Sequence, residues 1–307
     1  MQSTHPVWSS RPSAPRYPQL SGDHATEVAV VGGGITGLTT ALLLAREGKR
    51  VTLLEARELG AGVTGASTAH LTEALDTRYH ELESELGREG AGMARASTRE
   101  AIELIARHAR DRDCGFERVD GYLFSEQESR LHELNAEHAA AKRSGATVEL
   151  RSRLELFPQA LAALCFSNRA QVSPLQYLDV LADELKSTSA QLYERTAMLD
   201  LEGKGPFRLT TDAGPTVTAE AVVLATHAPF AKLMLQLELA QYRSYAIAGR
   251  VSAFPRGLYL DLNDPYHYVR SARLGGETLA IVGGGDHRTA VTPEQGPDAP
   301  FDEVTAF

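Results

Sequence analysis

The sequence has few cysteines and no long apolar run. Only two cysteines occur in 307 residues, Cys114 and Cys165, and neither lies in a Cys-x-x-Cys or Cys-x-His pattern. Two buried, reduced thiols are the favoured interpretation, with a disulfide or metal site as the alternative, so we expect no metal. No apolar stretch approaches the roughly 20 residues that a membrane-spanning helix needs. The first twenty residues also lack the apolar core of a secretory signal, which predicts a cytoplasmic protein.

A cluster of basic residues is also absent. The chain carries 31 Lys and Arg against 40 Asp and Glu, a formal charge of −9, and its basic residues are scattered. A phosphate backbone is bound by basic side chains gathered on one face, so we expect no nucleic-acid partner. Hydrophobic residues make up 43% of the chain and charged residues 23%, which predicts an ordinary packed core.

A strand, a helix and a second strand are predicted in succession near the N-terminus. Residues 27–31 are a β-branched run, residues 35–46 an Ala- and Leu-rich helix, and residues 50–56 a second β-branched run. The turn between the first strand and the helix fits the pattern G-x-G-x-x-G. Gly32 permits a tight turn, Gly34 lets the backbone approach a diphosphate, and Gly37 lets helix and strand pack closely.

This placement predicts the groups that contact a dinucleotide. Ile35 and Thr36 open the helix, where free N–H groups and the helix dipole favour phosphate. Glu55 ends the second strand, and its carboxylate can accept hydrogen bonds from a ribose diol. Ala56 and Arg57 follow it at the same edge. The alternative is a tight turn in a domain that binds no dinucleotide.

Seven segments, spread over the chain after residue 26, match one family in sequence and in order. They are residues 27–38, 53–56, 60–70, 120–124, 173–178, 222–227 and 264–270. Together they resemble the D-amino acid oxidase-like family of FAD-dependent oxidoreductases over nearly the whole chain. The likeness is strongest to a bacterial branch in which such an oxidoreductase carries a Rieske iron–sulfur domain at its C-terminus.

The resemblance implies FAD as cofactor and an α/β fold. A Rossmann-type FAD-binding domain, residues 25–77 and 172–230, is expected to interleave with an α+β substrate domain, residues 78–171 and 231–307. Residues 1–24 contain several prolines and show no hydrophobic periodicity, which predicts an extended arm on the surface.

Short extended runs predict the antiparallel sheet of the substrate domain. They are separated by Gly, Pro and Asn and comprise residues 250–254, 258–262, 267–270 and 278–282. Residues 207–212 and 217–226 predict a meander whose last strand is fully buried.

The resemblance also implies where the chain contacts FAD. Ser67 and Thr68 lie in a loop that resembles the family's segment under the diphosphate and the flavin ring, with helix-capping hydroxyls as the alternative. Ala197 lies in a segment similar to the strand whose backbone meets the adenine. Ala225 and Thr226 resemble a second close approach to FAD.

The implied reaction is oxidation of a C–N bond in a small amine or amino acid. The flavin accepts hydride, water hydrolyses the resulting imine, and no side-chain acid or base is obligatory. Pocket candidates are Tyr245, His267, Tyr268 and Arg270. Arg270 could bind a substrate carboxylate bidentately, with a solvent-facing arginine as the alternative. His267 could instead be a structural hydrogen-bonding histidine.

The resemblance stops at Phe307, inside what the family implies is a longer catalytic domain. No cysteine follows Cys165, whereas a Rieske centre needs two cysteines and two histidines. We therefore expect a C-terminally truncated chain, with residues 293–300 as a surface connection. The alternatives are a non-catalytic FAD-binding fragment or subunit completed by a partner chain, and a nicotinamide dehydrogenase, in which residues 62–70 would have no role.

Overall fold

The structure is a computed structural model that describes residues 6–10, 17–228, 239–289, 296 and 298–307. The chain divides into two compact units, Met1–Ser67 with Pro174–Leu239, and Thr68–Ser173 with Ala240–Phe307. These limits differ from the predicted domain limits, which ended segments at residues 77, 171 and 230. Each unit is built from two separate stretches of chain, as an interleaved α/β fold requires.

Helices and strands alternate in the first half of the chain and strands dominate the second half. In chain order the described elements are β1 (His24–Val31), α1 (Ile35–Arg46), β2 (Val51–Leu54), α2 (Val63–Ala66), β3 (His70–Leu71), α3 (Tyr79–His108), β4 (Glu117–Ser125), α4 (Leu131–Arg143), β5 (Val148–Arg151), β6 (Ala162–Gln171), α5 (Pro174–Leu185), β7 (Gln191–Tyr193), β8 (Met198–Glu202), β9 (Phe207–Thr211), β10 (Thr216–Leu224), β11 (Tyr242–Arg250), β12 (Leu258–Asp261), β13 (Tyr268–Leu274), β14 (Glu277–Arg288) and α6 (Ala299–Ala306).

The first unit contains the predicted Rossmann sheet. Its six strands lie in the order β7-β2-β1-β10-β9-β8, and β1 pairs in parallel with both β2 and β10. The apolar runs of β1 and β2 are buried, as expected for parallel strands covered on both faces. Helix α1 buries its Ala- and Leu-rich face and packs on α5. The glycine turn is thereby held between a buried strand and a buried helix.

Strand β10 is less buried than predicted. Its first residues, 216–219, lie between β1 and β9, whereas residues 220–224 pair with β1 alone. No described strand pairs with the other side of residues 220–224, which we call the open edge of β10. Leu224 is 40% exposed, and Thr218, which has a strand on each side, is exposed as well. The prediction of a fully buried strand was wrong, because pairing with neighbouring strands leaves the faces of β10 only partly covered.

The second unit contains a sheet with strand order β11-β14-β13-β12-β4-β6-β3, and β5 pairs with β6. Its pairs are antiparallel except that β12 and β4 run parallel. The strand predicted at residues 250–254 is wrong, because β11 and its pairing with β14 both end at Arg250. Residues 293–295 and 297 of the predicted surface connection lie outside the described residues. Its last two residues, Ala299 and Pro300, begin α6, where Pro300 is buried.

Part of the predicted surface arm is packed. Residues Val7–Ser10 form a turn of 3-10 helix, and the Trp8 side chain is only 3% exposed. Leu20 joins the core beside β1, and its backbone N–H donates to Thr196 Oγ1 at 3.1 Å. The proline-rich composition did not reveal that single large side chains anchor the segment. Residues 1–5 and 11–16 of the arm lie outside the described residues.

Three further observations concern the described part of the chain. Cys114 and Cys165 are buried and free. No group of three or more His, Cys, Asp or Glu side chains is arranged there to hold a metal ion. None of the described helices is both long and apolar enough to cross a membrane.

Candidate functional site

The glycine turn between β1 and α1 has backbone contacts that leave no room for side chains. Gly32 has a φ of 114°, and a Cβ there would overlap the carbonyl oxygen of Ala225. A Cβ on Gly37 would overlap the carbonyl oxygen of Gly32, and one on Gly34 would lie 3.0 Å from Thr64 Oγ1. Backbone contacts therefore require glycine at positions 32 and 37, and Gly34 is packed tightly against a side chain, which is the geometry expected of a dinucleotide turn.

Glu55 lies directly against this turn. Its Oε2 accepts a hydrogen bond from the Gly33 N–H at 2.6 Å, and its Oε1 accepts one from the Arg57 N–H at 2.9 Å. Each carboxylate oxygen has a further lone pair for another donor. The carboxylate is therefore oriented by the backbone on both oxygens and can still accept hydrogen bonds from a ribose diol.

Thr64 is a site residue that the sequence patterns did not single out. It lies on α2, and its Oγ1 accepts a hydrogen bond at 3.2 Å from the Ile35 N–H, a donor without an intrahelical partner at the start of α1. The Gly60 N–H donates to the Gly33 carbonyl at 3.0 Å, which holds the same loop against the glycine turn. A hydroxyl that occupies a helix N-terminus can donate its own proton to an anion there. Several hydroxyls in residues 62–68 looked equivalent from sequence alone.

Ser67 and Thr68 follow α2 and are held in different ways. The carbonyl oxygen of Ser67, at the C-cap of α2, accepts a hydrogen bond from the Trp8 indole N–H at 2.8 Å. Thr68 belongs to the second unit, where its Oγ1 lies 3.2 Å from His70 Nδ1. Their assignment as FAD contacts stays a prediction.

The other predicted contacts lie at the ends of strands in the first unit. The Ala225 N–H donates to the Val31 carbonyl at 2.8 Å, so Ala225 and Thr226 follow the end of β10 beside the glycine turn. The Ala197 N–H is occupied by Asp212 Oδ1 at 2.7 Å. The carbonyl oxygen of Ala225 lies against Gly32, as noted above. Contact of Ala197 with a cofactor stays a prediction.

Arg270 is buried in the second unit, with 1% of its surface exposed. Its Nη1 donates to three carbonyl oxygens, those of Thr68 at 2.7 Å, Ala69 at 2.9 Å and Val172 at 3.2 Å. Burial lowers the pKa of the guanidinium to about 9. The solvent-facing alternative is therefore wrong, and the charged group instead ties together two segments of backbone.

His70 and Tyr268 pack beside this buried cation. Their rings meet edge to face with centroids 5.5 Å apart. Burial, together with the charge of Arg270, lowers the pKa of His70 to about 3. Burial, together with the charge of Asp286, raises the pKa of Tyr268 to about 12. Both side chains are therefore uncharged at neutral pH and act as hydrogen-bonding groups.

The four pocket candidates do not form one cluster. Tyr268 and Arg270 lie on β13 near His70, whereas His267 Nδ1 contacts Asp261 Oδ2 at 3.0 Å and its ring stacks on Phe307. Tyr245, on β11, stacks on His287 and meets Phe301 edge to face. The contacts of His267 match the structural alternative, and the pocket assignment stays a prediction.

The neutral state of His70 predicts a specific pH dependence of stability. Because its pKa is about 3 in the fold and about 6.5 unfolded, its contribution is complete above pH 6.5 and is lost as the pH falls towards 3. Relative to His70→Gln, the wild-type chain will lose roughly 2 kcal/mol of unfolding free energy between pH 6.5 and pH 5. Urea unfolding at both pH values measures this difference.

The exposed His132 provides the matched control. We expect His132→Gln to follow the wild-type pH profile. Parallel profiles for the wild-type chain and His70→Gln would show that His70 takes up a proton in the folded state.

Comparison with known proteins identifies related sequences over most of the chain. The family model described as FAD dependent oxidoreductase (DAO) matches residues 27–306. The putative Rieske 2Fe-2S iron–sulfur protein YhfW of Bacillus subtilis (strain 168) is 30% identical over 288 residues, covering 92% of this chain and 56% of the relative. Gamma-glutamylputrescine oxidoreductase of Escherichia coli (strain K12) is 26% identical over 225 residues, covering 69% of this chain and 51% of the relative.

A third relative is similar in sequence and in structure. Glycine oxidase of Geobacillus kaustophilus (strain HTA426) is 27% identical over 229 residues, covering 71% of this chain and 58% of the relative. A crystal structure of glycine oxidase from Geobacillus kaustophilus matches 92% of this chain and 78% of its own with a TM-score of 0.71. At 21% identity this structural match shows the shared fold. The chain spans about half the length of these curated relatives.

Proposed function

The chain belongs to the FAD-dependent oxidoreductase (DAO) family, and on that premise we propose that it oxidises a C–N bond of a small amine or amino acid. The resemblance found in the sequence, including the likeness to a relative named for a Rieske centre, is thereby confirmed. The family is FAD-dependent, and its members are enzymes. The alternative of a nicotinamide dehydrogenase is therefore wrong, because the family uses FAD.

The residues of the first unit fit FAD. The observation that carries this proposal is the close approach of backbone at the strand-to-helix turn, where a Cβ on Gly32 or Gly37 would overlap a carbonyl oxygen. The N-terminus of α1, at Ile35 and Thr36, would hold the diphosphate, with the Thr64 hydroxyl beside it. Glu55 would hold the ribose diol. When bound, FAD supplies the hydride acceptor.

Two relatives support the substrate class. One acts on gamma-glutamylputrescine, an amine, and one on glycine, an amino acid. In this chain we propose Tyr268 and His70 as uncharged groups that can orient a polar substrate. Because three carbonyls occupy Nη1 of Arg270, we propose a positioning role for it in place of the predicted carboxylate contact.

An absorption spectrum of the purified chain tests the proposal directly. We expect a visible flavin band that bleaches when amines or amino acids are added without oxygen, because hydride transfer from the substrate removes that band. Glycine, putrescine and gamma-glutamylputrescine form the first panel, and an alcohol series is the control. Bleaching by alcohols but not by nitrogen compounds would contradict C–N oxidation, and a colourless, folded chain would contradict FAD binding.

A second candidate function is an FAD-binding subunit that a partner chain completes. The observation that favours it is the open edge of β10, where β1 is the only strand among the described residues that pairs with residues 220–224. Such an edge can accept a further strand. Turnover by the isolated chain would contradict this candidate, whereas bound flavin without turnover, restored by a second polypeptide, would support it.

We also propose that the chain works in a reducing, cytoplasmic environment. Both cysteines are buried thiols, the usual state of cysteine in such a compartment. Cell fractionation with an antibody to the chain tests this directly, and recovery in an extracellular fraction would contradict it.

A further inference from the structure

Trp8 connects residues 6–10 to the loop of residues 62–68, which is expected to contact FAD. It is the sole tryptophan of the sequence, and its buried indole donates to the Ser67 carbonyl, 59 residues away in sequence. Ser67 is the C-cap of α2, and the Thr64 hydroxyl of this helix accepts a hydrogen bond from the Ile35 N–H at the start of α1. A short series of contacts therefore runs from Trp8 to the helix N-terminus that would face the diphosphate.

Helix α2 has little to hold it in place by itself. It is a single turn of four residues, Val63–Ala66, and isolated helices of this length are not stable in water. Val63 is 55% exposed, and Gly65 is the only buried residue of the helix. External contacts must therefore position it. Leu175 on α5 packs against Gly65, and the indole of Trp8 adds a buried aromatic group together with its hydrogen bond to Ser67.

We propose that residues 6–10 form a strap that holds α2 in the position needed for FAD, with Trp8 as its positioning residue. The inference rests on the proposed FAD site of the first unit. A loop that is already ordered binds a ligand without a further loss of conformational entropy. Trp8 therefore acts on FAD affinity through Ser67 and Thr64.

The first test compares FAD dissociation constants of the purified chain and its Trp8→Phe variant by equilibrium dialysis. The variant keeps an aromatic ring but loses the hydrogen bond to Ser67. We expect about tenfold weaker FAD binding, the effect of one hydrogen bond of roughly 1.4 kcal/mol. The matched control is Tyr17→Phe, which removes a hydroxyl of the same N-terminal segment that reaches Ala182 on α5. Equal affinity in Trp8→Phe and the wild-type chain would overturn the proposal.

Hydrogen exchange of the FAD-free protein provides a readout that does not depend on the cofactor. We expect the amides of residues 62–67 to exchange faster in Trp8→Phe, and to be unchanged in Tyr17→Phe. If the wild-type chain bound no FAD, the proposed cofactor site would fail, yet faster exchange in this segment would still support the strap. Unchanged exchange in Trp8→Phe would overturn the strap even if the wild-type chain bound FAD.

Discussion

Gly37→Ala will weaken FAD binding by this chain about a hundredfold, near the upper end of the usual cost of overpacking a close contact. The added Cβ would overlap the carbonyl oxygen of Gly32, a backbone atom that cannot rotate away. Helix α1 must then move from β1, which displaces the N–H groups at its start. Flavin content after purification and titration of the variant with FAD measure the effect.

Gly22 offers the matched control in the same unit. A Cβ at Gly22 has no heavy atom within 4 Å, so we expect Gly22→Ala to fold and bind FAD as the wild-type chain does. Circular dichroism of both variants separates loss of the site from loss of the fold. A Gly37→Ala protein with full flavin content would show that the diphosphate lies elsewhere.

Arg270→Met will lower the free energy of unfolding by about 3 kcal/mol, even without FAD or substrate. Three carbonyl oxygens, those of Thr68, Ala69 and Val172, lose their shared donor, and buried polar groups left without partners are costly. Urea unfolding of the cofactor-free chain measures this loss. A residue that only contacts substrate would leave the stability of the free chain unchanged.

Arg273 lies on the same strand and is exposed, so Arg273→Met removes the same charge without breaking the buried bonds. We expect its unfolding midpoint to stay near that of the wild-type chain. If Arg270→Met were as stable as the wild-type chain and had lost only substrate affinity, the positioning role would be wrong. Arg270 would then bind the substrate carboxylate, as predicted from the sequence.

The dinucleotide turn could be predicted from sequence because its requirements are local. A φ of 114° at Gly32 and the backbone contact at Gly37 suit glycine, so the residue types themselves indicate the geometry. Glu55 followed from the same reasoning, since parallel strands place their C-terminal ends at one edge of the sheet. Thr64 did not, because several neighbouring hydroxyls have the same chemistry and only the packing of α2 distinguishes them.

The roles of Arg270 and β11 depend on contacts between distant parts of the chain. The carbonyls that Arg270 binds come from residues 68, 69 and 172, about 100 to 200 positions away. No local pattern shows which face of β13 is buried. Strand β11 consists largely of Ser, Ala, Gly and Arg and lacks β-branched alternation, so its pairing with β14 determines its structure. Tertiary contacts here override local preference.

The interleaved chain has a consequence for synthesis on the ribosome. Strands β1 and β2 emerge early, but their outer neighbours β10 and β7 begin only at residues 216 and 191. At ordinary translation rates this delay lasts on the order of ten seconds. During that time a nascent β1–β2 pair has two uncovered edges, and most of the second unit is synthesised in between. Nascent chains stalled before residue 190 should therefore depend on chaperones, and release of the Rossmann sheet from them should coincide with the appearance of β10.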